Sequence, residues 1–138
     1  MNKNSISSLI IDLIVEIKKN FLNYHSTNNV PILYLLIFKS LEDNSEMRVS
    51  DLARIFGISK PSITEIIQKM ENEGIVYKKQ GKDKRDKYII LTDKGLRKKF
   101  KYKKEFRDYI ENKINKMSLK DKNILKRDLD SVISILQK

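Results

Sequence analysis

The chain has 138 residues, 40% of them hydrophobic and 34% charged, with 4 Gly, 2 Pro, 1 His and no Cys. This is one domain's worth of chain with the balance of a folded globular protein. The lack of Cys excludes a disulfide scaffold, a thiol nucleophile, a thiol redox sensor and any Cys-ligated metal, and the single His25 leaves no His cluster for zinc, copper or haem. No uninterrupted apolar run is long enough to span a bilayer, and the start of the chain lacks the charged, apolar and small-residue succession of a secretory signal. A cytoplasmic protein with no membrane partner is the expectation.

The net charge is +11, unevenly placed. Residues 1–50 are neutral overall, 51–80 carry +1, 81–104 carry +8 and 105–138 carry +2. Such a concentration of cations points to a polyanion, whose counterions are released on binding, or else to a lysine-rich solvated face.

In chain order, Ile6, Leu9, Ile10, Leu13, Ile14, Ile17, Phe21 and Tyr24 recur at helical spacing, and Ile11, Val15 and Leu22 widen the apolar face. A face that broad predicts a helix covered on more than one side, with a second subunit as the cover. Residues 31–42 predict a second, strongly buried helix with Pro31 in its first turn. After a polar loop, Met47–Val49 predict a very short strand. Ser50 is expected to cap a short helix that Gly57 stops. Ser59 caps the next helix, 60–72, with Ile63, Ile66, Ile67 and Met70 inward. Two short helices joined by Gly57-Ile58-Ser59 have the size and turn chemistry of a helix-turn-helix, in which the start of the second helix enters the major groove. Segments 75–80 and 87–91, joined by the basic sequence GKDKRD, predict a β-hairpin. Thr92 is expected to cap a long helix to about residue 116, despite Gly95 in its first turn. Ser118-Leu119-Lys120-Asp121 opens a last helix. The fold expected is mainly α, a winged helix-turn-helix flanked by dimerisation helices from both chain ends.

Residues 48–95, RVSDLARIFGISKPSITEIIQKMENEGIVYKKQGKDKRDKYIILTDKG, resemble the winged helix-turn-helix core of the MarR family of bacterial transcription regulators. The resemblance rests on LARIFGISKPSITEIIQKMENEGIV followed by the wing pattern DKRDKYIILTDKG. It implies one domain over 1–138, with a winged core at about 31–92 and dimerisation helices at about 5–27 and 93–137. It also implies a homodimer that binds double-stranded, pseudo-palindromic operator DNA and usually represses. Many members respond to a small-molecule effector. No cofactor is implied.

On this reading Ser59, Lys60, Pro61, Ser62 and Thr64 begin the reading helix. Ser62 and Thr64 would donate to phosphates or base edges and Lys60 would reach a phosphate or guanine. Ser59 is a cap, a contact or both, and Pro61 is a helix starter or a partner for a thymine methyl. Arg85 matches the family's minor-groove arginine, and its local alternative is a salt bridge to Asp83 or Asp86. Lys69, Lys82, Lys84 and Lys87 are candidate phosphate contacts, and one of Lys78 and Lys79 should face DNA. Glu65 departs from the pattern, since many relatives carry arginine there. The basic stripe 97–104 flanks the DNA backbone or is a solvated helix face. Tyr24, His25, Tyr34, Phe38 and Tyr109 line a ligand pocket or are ordinary core. No phosphate-binding loop, zinc-protease or serine-hydrolase motif occurs, so an enzyme is not expected. The competing binding reading is a nonspecific nucleoid-associated or architectural DNA-binding protein.

Overall fold

The structure is a computed structural model that describes residues 4–22, 31–83, 85 and 87–138. It divides into two compact units, Met1–Lys104 and Glu105–Lys138. The described residues form six helices and one small sheet: α1 (Ile6–Phe21), α2 (Ile32–Asp43), β1 (Met47–Arg48), α3 (Val49–Phe56), α4 (Lys60–Asn72), β2 (Val76–Gln80), β3 (Lys87–Leu91), α5 (Asp93–Ile114) and α6 (Leu119–Leu136). This is the mainly helical winged architecture that the sequence predicts.

In the first unit the core lies among α2, α3, α4 and the sheet. Tyr34, Ile37, Phe38 and Leu41 follow one face of α2, and Ile63, Ile67 and Met70 do the same on α4. Leu52 of α3 and Met47, Ile75, Val76 and Ile89 close the cluster. The strands are antiparallel in the order β1-β3-β2. Val76 pairs with Leu91 at the base of the wing and Gln80 with Lys87 toward its tip, while Met47 and Arg48 pair with Ile89 and Tyr88. The short strand β1 therefore covers what would otherwise be an open edge of the wing.

Two local details differ from the sequence reading. Helix α3 starts two residues earlier than Ser50 predicts: Arg48 is its N-cap, with no side-chain capping bond, and Ser50 lies in the first turn. The pairing of β1 with β3 holds the chain extended through Arg48 and so decides where the helix begins. Pro31 likewise flanks α2 as its N-cap at φ −62°, just outside the helix. Elsewhere the punctuation is as expected. Gly57 ends α3 in the left-handed region at φ 62°, and the Ile58 N–H closes the turn on the Ala53 carbonyl at 3.0 Å.

The start of α5 explains the glycine at position 95. The Thr92 N–H donates to the Ile75 carbonyl at 3.0 Å, its hydroxyl donates to the Gly74 carbonyl at 2.5 Å, and its Oγ1 accepts the Gly95 N–H at 2.9 Å. The helix start is so close to the chain at Ile75 that a methyl group on Gly95 would collide with the Ile75 carbonyl.

The helices at the chain ends carry apolar faces that their own unit leaves open. On α1, Ile6, Leu9, Ile10, Ile14 and Val15 are exposed and only Ser8 is buried. In the second unit α6, capped by the Ser118 hydroxyl on the Asp121 N–H at 3.1 Å, has no buried residue and exposes Leu119, Leu129, Ile133 and Leu136. Tyr24 and His25, and the predicted end of the first helix, lie outside the described residues.

Replacing either glycine tests these two junctions. Gly57→Ala should lower stability in urea by about 1 kcal/mol, the cost of a side chain in the left-handed region, because nothing surrounds the added methyl. Gly95→Ala should cost about 2 kcal/mol or more, since backbone must shift to admit it.

Candidate nucleic-acid interface

Helix α4 begins with a rigid, polar first turn. The Ser59 Oγ accepts the Ser62 N–H at 3.3 Å and donates to the Ser62 Oγ at 2.8 Å. The Ser59 hydroxyl proton is thereby committed, and the Ser62 hydroxyl proton is left to point to an outside acceptor. Lys60, Pro61, Ser62 and Thr64 are all exposed. Among the wing residues described, the Asp83 carboxylate accepts the backbone N–H of Arg85 at 3.1 Å, so it shapes the turn that carries the arginine.

These elements meet at one cleft of about 230 Å³, lined by Arg48, Val49, Ser50, Lys60, Thr64, Lys78, Arg85 and Lys87. Its walls are the start of α3, the first two turns of α4 and the wing. Five of the eight lining residues are cationic and none is acidic. Cations gathered in a concave site focus a positive potential into it, which favours an anionic partner.

Two of the cations are held by carboxylates and amides behind the cleft. Arg48 Nε and Nη2 donate to the two Asp51 oxygens at 3.0 and 3.2 Å, and Arg54 donates to the same carboxylate at 3.1 Å. The hydrogen bond from Arg48, and then that from Arg54, hold the Asp51 carboxyl below its ordinary range against the opposing effect of burial. Half-buried Lys78 reaches Gln68 Oε1 at 3.5 Å and Glu71 at 3.8 Å, which ties the wing to α4.

Of the residues expected from sequence, Lys60, Thr64, Arg85 and Lys87 are brought together in this cleft, with Ser59, Pro61 and Ser62 at the helix start beside it. Lys82 is exposed near the wing tip, and Lys84 lies outside the described residues. Lys69 is elsewhere, with its ammonium 5.9 Å from the centroid of the Tyr34 ring. Glu65 lines a separate shallow hollow on the outer face of α4 with Lys60, Pro61, Thr64 and Gln68. Sequence reasoning missed Arg48 and Ser50, whose chain neighbours pointed only to a strand end and a cap. It left Lys78 and Lys79 undecided, and Lys78 is the one that lines the cleft.

The basic stripe on α5 is split. Lys99, only 8% exposed, and Lys103 both turn to Glu42 of α2, at 3.4 and 3.1 Å. These bonds, Lys103 first, hold the Glu42 carboxyl below its ordinary range. Lys94, Arg97 and Lys101 remain exposed, on a helix that starts at the base of the wing rather than its tip. The aromatic candidates are packed: Tyr34 and Phe38 meet edge to face in the core, and Tyr109 stacks on Phe106. Burial, then the charge of Glu73, raises the Tyr34 hydroxyl pKa, and that hydroxyl donates to Glu73 at 3.3 Å.

The fold is a winged helix-turn-helix, with a basic cleft between α4 and the β-hairpin wing. Residues 34–87 match the family model described as MarR family. Solved structures agree in fold. The chain is 20% identical to the transcriptional regulator BldR from Sulfolobus solfataricus, with a TM-score of 0.77, 99% of this chain and 99% of that one being covered. A mutant MarR from E. coli is 14% identical with a TM-score of 0.79, over 94% of this chain and 96% of that one. AbsC, a MarR family transcriptional regulator from Streptomyces coelicolor, is 20% identical with a TM-score of 0.66, over 94% and 90%. No curated protein matches the sequence. No helix among the described residues is long and apolar enough to cross a membrane.

The Asp51 clamp has a pH signature. A carboxyl held below its ordinary range contributes stability above that range and loses it as pH falls through the lowered value. Asp51→Asn should therefore be less stable than the parent near pH 7, and thermal melts of the two should converge as pH falls through the lowered carboxyl range.

Proposed function

We propose that the protein is a sequence-specific DNA-binding transcription regulator, a repressor that occupies a pseudo-palindromic operator as a homodimer in the cytoplasm. The observation that carries this reading is the cleft in which Lys60 and Thr64 of the reading helix meet Arg85 and Lys87 of the wing with no acidic residue among them. The start of α4 enters the major groove, where Ser62 and Thr64 donate to base edges or phosphates. Arg85, on the turn shaped by Asp83, enters the adjacent minor groove, whose negative potential is deepest where it is narrow and A·T-rich. Ser59, Lys60, Pro61, Lys82, Lys84 and Lys87 complete the proposed contact set, with Lys69 leaving the Tyr34 ring it now faces to reach a phosphate.

The homodimer reading is supported by the exposed apolar faces of α1 and α6. A second copy of the chain would cover them within one MarR-like domain per protomer. Two-fold symmetry then sets two reading helices about 34 Å apart, one turn of duplex.

Selection of bound duplexes from a random pool at about 0.15 M salt tests the reading. The expected result is an inverted repeat, with Arg85→Ala binding it roughly tenfold more weakly and losing preference at the A·T flanks. Glu65, a carboxylate on the outer face of α4, favours one alternative, a nonspecific nucleoid-associated protein. Enrichment of no motif, with affinity that fades as salt rises, would establish that alternative instead. For the dimer, sedimentation should give twice the chain mass, and Ile14→Glu or Leu129→Glu should shift it to the monomer. A parent chain that sediments as a monomer at binding concentrations would sink the symmetric model.

A further inference from the structure

Arg48, Val49 and Ser50 form one wall of the basic cleft, yet nothing in the helix-turn-helix pattern gives them a role. Their geometry does. Helix α3 is eight residues long and its N-cap, Arg48, makes no side-chain capping bond, so its first N–H groups receive no acceptor from that side chain. Asp51 grips the Arg48 guanidinium through two of its N–H groups and fixes its position at the lip. Arg48 pairs with Tyr88, the chain neighbour of Lys87, and Lys87 lines the same cleft as the start of α3. Helix start, guanidinium and ammonium thus line one hollow from three elements, α3, β1 and β3, with Ser50 supplying a hydroxyl donor.

We infer that this corner of the cleft seats a single backbone phosphate of the bound duplex, gripped from one side by Arg48 and the start of α3 and from the other by Lys87. The inference rests on the DNA-binding reading above and adds to it a defined anchor. One phosphate would be held jointly by the first helix of the helix-turn-helix and by the wing, and this would set how far α4 advances into the groove. Asp51 is a positioning residue here, because it touches Arg48 and not the phosphate. A helix start with an adjacent guanidinium suits a tetrahedral oxyanion held through several short N–H bonds. Contacts of this kind fix register and carry no base preference.

The test neutralises the phosphates of a bound duplex one at a time with methylphosphonate and measures affinity for the parent, Arg48→Gln and Lys87→Gln. The parent should lose roughly tenfold at one phosphate per half-site. Both variants should bind the unmodified duplex about that much more weakly, with the base preference unchanged and the salt slope reduced by about 1 per half-site. Both should be insensitive to neutralisation at that same phosphate. Lys87→Gln guards against a folding artefact, since it leaves the Arg48–Asp51 pair intact, and Lys120→Gln in the other unit should change nothing at any phosphate. If the two variants silence different phosphates, or neither silences one, the anchor is wrong while DNA binding stands. If the parent binds no duplex, the DNA-binding reading itself falls.

Discussion

The fold turns on how Thr92 joins the wing to the end of α4. Its hydroxyl binds the Gly74 carbonyl just past α4, its N–H binds the Ile75 carbonyl entering β2, and its Oγ1 takes the Gly95 N–H at the start of α5. The end of α4, the base of the hairpin and the beginning of α5 therefore meet around one side chain. Gly95 allows the approach because it has no Cβ to strike the Ile75 carbonyl. With the base of the wing fixed there and β1 closing its edge, Arg85 and Lys87 of the wing line one cleft with Lys60 and Thr64 of α4. The Lys78 bonds to Gln68 and Glu71 secure the same relation farther out.

The distribution of charge follows from that frame. Where cations meet a carboxylate, as Lys99 and Lys103 meet Glu42, the charge serves packing between α2 and α5. In the cleft the carboxylates stand behind the cations: Asp51 holds Arg48 from outside the lining, and Asp83 is occupied by a backbone N–H. The cost of crowding five cations is tolerable on a wet surface, where like-charge repulsion is screened. It is relieved when an anion enters. The cleft is thus prepared for a polyanion before any contact is made, which is the physical basis of the regulator reading.

The chain-end helices pose the opposite problem. Fully burying a Leu or Ile side chain is worth roughly 1.5–3 kcal/mol, and α1 and α6 each hold several such side chains at the surface. Water-exposed faces of that breadth are unusual in a monomer. The proposed second copy of the chain would recover that free energy, and symmetry would supply the second reading helix an inverted repeat needs.

Much of this was legible along the chain because it depends on local chemistry. Gly57 and Ser59 punctuate the helix-turn-helix through a left-handed stop and a hydroxyl cap, and Ser118 and Thr92 act at their own helix starts. The helical spacing of Ile63, Ile67 and Met70 likewise names the buried face of α4 without reference to any partner. Tertiary structure decided what depends on residues far apart in sequence. Pairing of β1 with β3 moved the start of α3 to Val49 and carried Arg48 and Ser50 into the cleft, against the cap that Ser50 suggested. Packing of α5 on α2 divided the basic stripe, since helical position alone could not tell Lys99, turned to Glu42, from exposed Lys101. Gly95 looked like a flaw in a helix until the Ile75 carbonyl was found against it. A sequence displays propensities and periodicities within one element, whereas a cleft or an ion pair exists only once separate elements have been brought together.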